Sequence, residues 1–127
     1  MNECIIGIGS NIEADKNIRE ALKLLDSGFN GTEVSEMVKT KPLGIENQPD
    51  FVNGAVKIKT EMEQNQLQQY LKEVENRLGR DRSAPKFGPR TIDLDIVVWN
   101  NKVVDDDYFS RDFLRNSCKQ LGFEQIR

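Results

Sequence analysis

Two carboxylates stand two residues apart at the start of an otherwise apolar strand, in the stretch FGPRTIDLDIVVW (87–99). Side chains alternate between the two faces of a strand. One face should carry the aliphatic residues Ile92, Leu94, Ile96 and Val98. The other should carry Asp93, Asp95, Val97 and Trp99. Two charges about 5 Å apart at an effective dielectric near 20 repel by roughly 3 kcal/mol. A divalent cation would offset that repulsion, and oxygen-only ligands favour Mg²⁺ or Mn²⁺ over zinc.

The segment just before this strand is basic. GRDRSAPKFGPR (79–90) is a loop rich in glycine and proline, and it carries Arg80, Arg82, Lys86 and Arg90. A guanidinium group grips phosphate oxygens through two parallel hydrogen bonds. Together, the loop and the two aspartates indicate a site for a metal-bound polyphosphate. The competing interpretation is a solvated strand face paired with nearby arginines, and the apolar Val97 and Trp99 on that face argue against it.

Composition excludes several other kinds of site. The sequence has 127 residues, of which 31% are charged, a net charge of −3 and no histidine. Histidine metal ligands and histidine general bases are therefore excluded. The negative net charge argues against nucleic acid or membrane partners, and no apolar run is long enough to cross a bilayer. Neither a Walker A pattern nor G-x-G-x-x-G is present, so arginines and metal, and not a glycine cradle, would hold phosphates.

The elements that must position these residues follow from periodicity and turn signals. Strands are predicted at 4–8, 32–40, 51–60 and about 92–99, with Asn100-Asn101 turning into a short partner at 102–105. Helices are predicted at 15–28, 64–78 and 110–122, the last with Ser110 as its N-cap. The order βαββαβ predicts one α+β domain over 1–127. This is a ferredoxin-like antiparallel sheet with helices on one face, plus a short hairpin and a C-terminal helix.

The two cysteines, Cys4 and Cys118, lie in apolar or helical contexts at opposite ends of the chain. We interpret them as buried or incidental thiols of a reducing compartment. The first residues do not resemble a signal peptide, because Glu3 interrupts them and CIIGI is too short for an apolar region. We therefore expect a cytoplasmic protein.

The stretch GPRTIDLDIVV (88–98) closely resembles the signature of the 6-hydroxymethyl-7,8-dihydropterin pyrophosphokinase family of folate biosynthesis. Three further blocks resemble the family in the same order: IGIGSN (6–11), TKPLGIENQPDFVN (40–53) and EVENRLGRDR (73–82). The likeness covers about residues 4–104. It implies an ATP- and Mg²⁺-dependent enzyme that transfers pyrophosphate from ATP to the pterin hydroxymethyl group and releases AMP.

The resemblance also implies roles at the nucleotide end. Asp93 and Asp95 would hold two Mg²⁺ ions that bridge ATP phosphates. The loop arginines would steady the triphosphate and the charge that develops on transfer: Arg80, Arg82 and Arg90. Phe87 matches an aromatic residue on a mobile loop that covers the site, and Glu75 matches a helix residue near the nucleotide.

At the acceptor end, the resemblance assigns Phe51 to stacking on the pterin ring and Asn53 to hydrogen bonding with it. The pterin pocket would be lined by Thr40, Pro42 and Leu43. Towards the C-terminus the family pattern continues with a longer segment that includes a histidine, so the resemblance is to a short form. RDFLRNS (111–117) would supply Arg111 for phosphate and Phe113 for the second pterin face. Alternatively, Phe113 belongs to the apolar stripe of the last helix.

Two functions stay open at this point. The first is an active pyrophosphokinase whose partners are ATP and a hydroxymethyl-dihydropterin, working as a monomer or weak homodimer. The second is a non-catalytic relative that binds a pterin or a nucleotide. Both aspartates and three loop arginines favour the enzyme. A ferredoxin-like RNA-binding domain is a weaker third possibility, because the net charge and the D-x-D motif argue against it.

Overall fold

A computed structural model describes residues 1–42, 44, 47–80, 83 and 88–125. Within these residues, six strands and four helices follow one another along the chain. Their order is β1 (Asn2–Ser10), α1 (Ala14–Gly28), β2 (Asn30–Val34), β3 (Val38–Thr40), β4 (Phe51–Thr60), α2 (Gln64–Arg77), β5 (Asp93–Trp99), β6 (Lys102–Val103), α3 (Asp107–Ser110) and α4 (Asp112–Gln120). The strands form one antiparallel sheet in the order β2-β4-β1-β5-β6, and β3 also pairs with β4. The predicted α+β fold with an antiparallel sheet is confirmed.

Helices α1 and α2 cover one face of the sheet and bury a core of aliphatic residues against β1, β4 and β5. Helix α4 covers the opposite face and closes a second, smaller core. The sequence predicted that the two helices of the βαββαβ core lie on one face of the sheet, and the structure shows α1 and α2 there. The C-terminal helix adds a third layer, and this layer determines where a cavity can form.

The first two helices form where their apolar spacing predicted them. Leu67, Leu71 and Val74 are buried along α2, because residues three and four apart share one helix face. A capping box between Glu63 and Gln66 begins α2. The chain leaves the helix through Gly79, whose φ of +87° favours glycine.

The predicted strand 32–40 is wrong in one respect, because it is two strands. Ser35 separates them: its hydroxyl accepts the Ala55 N–H at 2.8 Å, while its own N–H donates to the Ala55 carbonyl at 2.9 Å. A side-chain oxygen thus replaces a backbone acceptor in the ladder. The interruption lets β3 resume against the start of β4, where Thr40 faces Phe51.

The predicted helix 110–122 with Ser110 as N-cap is also wrong at its start. Ser110 ends the short helix α3, and Arg111 adopts an extended conformation between α3 and α4. Arg115 holds this corner, because its guanidinium donates to the carbonyls of Tyr108 and Phe109 and pairs with Asp112. These carbonyls would otherwise lack a helical partner.

A β-bulge in β5 changes the predicted alternation. Ile6 pairs with Ile96 and Ile5 with Val98, so Val97 has no register partner on β1. A bulge shifts the following residues to the other face. Val98 therefore packs with Val97 in the α4 core, and Trp99 packs against the α1–α2 core, opposite to the prediction for both.

Before the bulge, the register across the three central strands brings the site together. Gly9 on β1 stands between Asn53 on β4 and Asp93 on β5. One row further along β1, Gly7 stands between Ala55 and Asp95. Since neighbouring strands are about 4.8 Å apart, Asn53 and Asp93 lie roughly 10 Å from each other across a glycine.

In the part of the chain that the structure describes, no helix has both the length and the apolar character that crossing a bilayer requires. The two cysteines are unpaired and buried, as the sequence predicted.

We predict that Leu67→Ala lowers the free energy of unfolding by about 3 kcal/mol, because it leaves a cavity in the α1–α2 core where Leu67 is fully buried. Gln68→Ala, an exposed position on the same helix, is the control and should change it by less than about 0.5 kcal/mol. Urea unfolding followed by circular dichroism measures both. Equal effects would contradict the buried placement of this face of α2.

Candidate active site

A cavity of about 750 Å³ opens on the α4 side of the sheet. Its floor is the row of Asn53, Gly9 and Asp93, and the start of α4 forms one wall. Eight of the residues predicted from sequence line it: Thr40, Phe51, Asn53, Arg90, Asp93, Asp95, Arg111 and Phe113. Residues more than 70 positions apart in sequence thus meet in one space.

Other predicted residues lie elsewhere. Pro42 is described but is not part of the cavity lining, and Arg80 and Glu75 lie behind Asp93. Leu43, Arg82 and Phe87 lie outside the described residues, as does the loop lysine Lys86. The structure gives positions for the described residues only, and the roles of all the site residues stay predictions.

The two aspartates have different partners. Asp93 accepts hydrogen bonds from two arginines, from Arg80 at 3.1 Å on Oδ1 and from Arg90 at 3.3 Å on Oδ2. Asp95 is hydrogen-bonded to Asp93. In the described part of the chain, no basic side chain lies within salt-bridge distance of Asp95. The interpretation as an arginine-paired strand face therefore accounts for Asp93 but not for Asp95.

The environment of Asp95 disfavours its charge. Burial raises the pKa of Asp95 to about 8, and the neighbouring Asp93 carboxylate contributes the next largest part of the rise. Asp95 is nevertheless exposed to the cavity, so solvent and ligands reach it. A cation at this point would offset the repulsion between the two carboxylates.

The donor set fits a hard divalent cation. Asp93 and Asp95 offer only oxygen atoms, and no third acidic, histidine or cysteine side chain joins them to form a cluster among the described residues. Magnesium commonly takes one or two protein carboxylates and fills its other positions with water and phosphate oxygens. The residues present therefore fit Mg²⁺ bound together with a phosphate ligand.

Glu75 contacts the protein interior and not the cavity. It is 2% exposed, and its Oε2 accepts hydrogen bonds from the Arg80 guanidinium at 2.6 Å and from the Leu94 backbone N–H at 2.7 Å. One buried carboxylate oxygen thus connects α2, Arg80 and the start of β5. Any effect of Glu75 on a nucleotide would act through Arg80, which in turn contacts Asp93.

The far end of the cavity is aromatic and amide-bearing. Phe51 lines the cavity near Asn53 on β4, and Phe113 lines it from the start of α4. Phe113 also packs against the α4 core, as the apolar-stripe interpretation expects, and its role towards a pterin stays a prediction. Asn53 is half-buried, and its Nδ2 donates to Thr40 Oγ1 at 2.5 Å. This end suits a flat heteroaromatic ligand with hydrogen-bonding edges.

Five lining residues were not predicted: Gly9, Lys41, Gly88, Asp107 and Ser110. For Gly9 a signal existed, because Gly7 and Gly9 alternate along β1 and so leave one face of a central strand bare. No comparable signal marked Asp107 or Ser110. Their position depends on the short helix α3, which the sequence pattern did not separate from α4.

Sequence comparison identifies the family. A family profile described as "7,8-dihydro-6-hydroxymethylpterin-pyrophosphokinase (HPPK)" matches residues 5–122. The chain belongs to this family. The match includes both aspartates, Arg80 and Arg90, and every residue of the aromatic end of the cavity.

Individual relatives agree with this assignment. The chain is 38% identical over 109 residues to a 2-amino-4-hydroxy-6-hydroxymethyldihydropteridine pyrophosphokinase of Bacillus subtilis, covering 84% of this chain and 65% of that protein. It is 36% identical over 105 residues to the protein of that name from Haemophilus influenzae, covering 80% and 65%. A folate synthesis bifunctional protein of Arabidopsis thaliana is 35% identical over 107 residues, covering 82% of this chain and 22% of that protein. The chain thus spans just under two thirds of the two bacterial relatives and about a fifth of the plant protein.

We predict that Asp95→Asn changes the pH dependence of stability. Because the folded-state pKa is raised, Asp95 keeps its proton in the folded protein over a range where the unfolded chain has lost it. The contribution of Asp95 to the free energy of unfolding of the wild type therefore falls as the pH rises from about 4 towards about 8. Asparagine carries no such penalty, so the melting temperature of the variant should exceed that of the wild type increasingly from pH 5 to pH 9.

Thermal unfolding by circular dichroism without divalent ions measures this difference. Asp15→Asn, at an exposed aspartate on α1, controls for the loss of a surface carboxylate. A difference that stays constant from pH 5 to pH 9 would contradict the raised pKa of Asp95.

We predict that Glu75→Ala lowers the free energy of unfolding by about 3 kcal/mol, because it leaves the Arg80 guanidinium and the buried Leu94 N–H without this acceptor. Glu73→Ala, at an exposed glutamate on the same helix, should cost less than about 0.5 kcal/mol. Chemical unfolding measures both, and a small loss for Glu75→Ala would argue against the buried link.

Proposed function

We propose that this chain transfers the pyrophosphoryl group of ATP to the hydroxyl of 6-hydroxymethyl-7,8-dihydropterin and releases AMP. One observation carries the proposal: a single cavity joins an acid–arginine end to an aromatic–amide end across Gly9. The first end suits a metal-bound triphosphate and the second a pterin ring. Family membership and the names of the relatives support the same reaction.

At the phosphate end, Arg80 and Arg90 already point their guanidinium groups at Asp93. A triphosphate bound there would be within reach of both. Arg111, which lines the same cavity and pairs with Asp107 at 3.8 Å, would add a third guanidinium. We assign Arg82 and Phe87 to the same end on the family pattern alone. Fixed guanidinium groups stabilise charge that spreads over the phosphate oxygens during transfer.

Asp93 and Asp95 would hold Mg²⁺ here, two ions if the family pattern applies to this chain. Bound Mg²⁺ neutralises phosphate charge and aligns the attacking and leaving oxygens. The protein's own part is to hold the two carboxylates side by side at the start of β5. Arg80, anchored by Glu75, limits how far Asp93 can turn.

At the acceptor end, Phe51 and Phe113 would stack on the pterin ring while Asn53 hydrogen-bonds its edge. Thr40 orients the Asn53 amide, and Pro42 and Leu43 would continue this wall. The acceptor hydroxyl oxygen would then bond to the β-phosphorus as the bond from that phosphorus to AMP breaks. Holding both substrates in one cavity makes positioning a large part of the rate enhancement.

Both ends of the cavity are built by one chain, which supports a monomer as the working unit, with at most weak dimerisation. The two unpaired thiols are on opposite faces of the sheet, and we propose a reducing compartment, the cytoplasm, as the place of action.

We predict AMP formation from ATP that depends on 6-hydroxymethyl-7,8-dihydropterin and on millimolar Mg²⁺. Asp95→Ala should lower kcat/KM by about 10³-fold or more, a loss of roughly 4 kcal/mol of transition-state stabilisation. Asp15→Ala, at an exposed aspartate on α1 that is not part of the cavity lining, should leave activity unchanged. Chromatographic separation of AMP from ATP measures both variants.

Two results would count against the proposal. Pterin binding without AMP formation would indicate a binding module and not an enzyme. AMP formation that ignores the pterin would mean that the acceptor is a different compound.

A further inference from the structure

Gly9 occupies the centre of the cavity floor. It is buried in β1, and its register partners are Asn53 on one side and Asp93 on the other. A Cβ added at Gly9 would come closer than 3.0 Å to Oδ1 of Asn53. The Asn53 amide therefore leans over β1 into the space that a side chain at position 9 would fill.

The other end of the same amide is also fixed. Asn53 Nδ2 donates to the hydroxyl of Thr40 at 2.5 Å. Thr40 belongs to β3, and β3 pairs with β4 on the side away from β1. The amide is thus held between a hydroxyl on one neighbouring strand and bare backbone on the other.

We propose that Gly9 is a positioning residue for acceptor recognition, because its missing side chain lets the Asn53 amide lie across β1 in hydrogen bond with Thr40. This inference rests on the proposed function, in which Asn53 binds the acceptor. A methyl group at position 9 displaces the amide and breaks its bond to Thr40. Gly9 acts through Asn53, and the phosphate end of the cavity keeps its arginines.

The chain offers a matched control in Gly7. It lies on the same strand and the same face, but a Cβ there would meet the side chains of Val97 at 3.3 Å and Leu114 at 3.6 Å. Gly7 is thus covered by α4, and it is not part of the lining of the 750 Å³ cavity. Gly7→Ala makes the same chemical change without touching Asn53.

The test compares Gly9→Ala, Asn53→Ala, the double variant and Gly7→Ala with the wild type. Calorimetry gives the affinities for 6-hydroxymethyl-7,8-dihydropterin and for a non-hydrolysable ATP analogue with Mg²⁺. Gly9→Ala should weaken acceptor binding about tenfold or more and nucleotide binding less than about twofold. In the Asn53→Ala background, Gly9→Ala should weaken acceptor binding by less than a further factor of about two, because the amide that it would displace is absent. Gly7→Ala should leave acceptor affinity within about twofold.

Equal weakening by Gly9→Ala with and without Asn53 overturns the inference, and so does unchanged acceptor affinity in Gly9→Ala when Asn53→Ala lowers it. Should Gly9→Ala alone not fold, the double variant is expected to fold, since it removes the clash. A double variant that stays unfolded while Asn53→Ala folds overturns the inference as well.

A second readout separates this inference from the proposed function. The side-chain amide resonances of Asn53, assigned by their loss in Asn53→Ala, should shift in Gly9→Ala and not in Gly7→Ala. If Asn53→Ala leaves acceptor binding unchanged, the assignment of Asn53 to the acceptor is wrong. The resonances then decide the inference alone: a shift supports the positioning of the amide by Gly9, and unshifted resonances overturn it.

Discussion

The acid–arginine end of the cavity depends on one buried carboxylate oxygen. Oε2 of Glu75 accepts from the Arg80 guanidinium and from the Leu94 N–H. A buried carboxylate is costly unless it is paired, so the end of α2, the segment after it and the start of β5 are held in one arrangement. Asp93 lies beside Leu94, and Arg80 reaches it from the other side. The relative placement of Arg80 and Asp93 is therefore set by a buried carboxylate that is not part of the cavity lining.

The second constraint is steric and lies in the central strand. A sheet of ordinary residues would fill the space above β1, but Gly7 and Gly9 leave the last part of one face of β1 without side chains, beyond the buried Ile5. Val97 of β5 and Leu114 of helix α4 lie over Gly7, whereas the Asn53 amide lies over Gly9, which lines the cavity. One strand thus provides both a packing surface for the third layer and part of the cavity floor. The chemistry at either end comes from the flanking strands, with aspartates on β5 and the aromatic and amide residues on β4.

The features that the sequence predicted well are those fixed by local periodicity. Helices α1 and α2, strand β4 and the Asn100-Asn101 turn, where both residues have positive φ, match within a residue or two. The errors occur where a tertiary contact overrides the pattern. Ser35 splits a strand by lending its hydroxyl to Ala55, and the bulge at Val97 reverses the faces of Val98 and Trp99. The segments 40–53, 88–98 and 111–117, which resemble the family, contain the eight cavity-lining residues that the sequence predicted. The sequence could not show that Glu75 is buried, because a helix pattern does not reveal which polar residue meets a neighbouring loop.

The division of the interior into two layers has a consequence for measuring local motion. Cys4 lies in the α1–α2 core and Cys118 in the α4 core, and both are unpaired. Burial raises the pKa of Cys4 to about 12, with a smaller effect of Glu3, and burial raises the pKa of Cys118 to about 11. Neither thiol reacts readily until its surroundings open. A variant that keeps only one of the two cysteines therefore carries a probe of one core. The rates at which a thiol reagent modifies the two single-cysteine variants report how often the core on each side of the sheet opens locally.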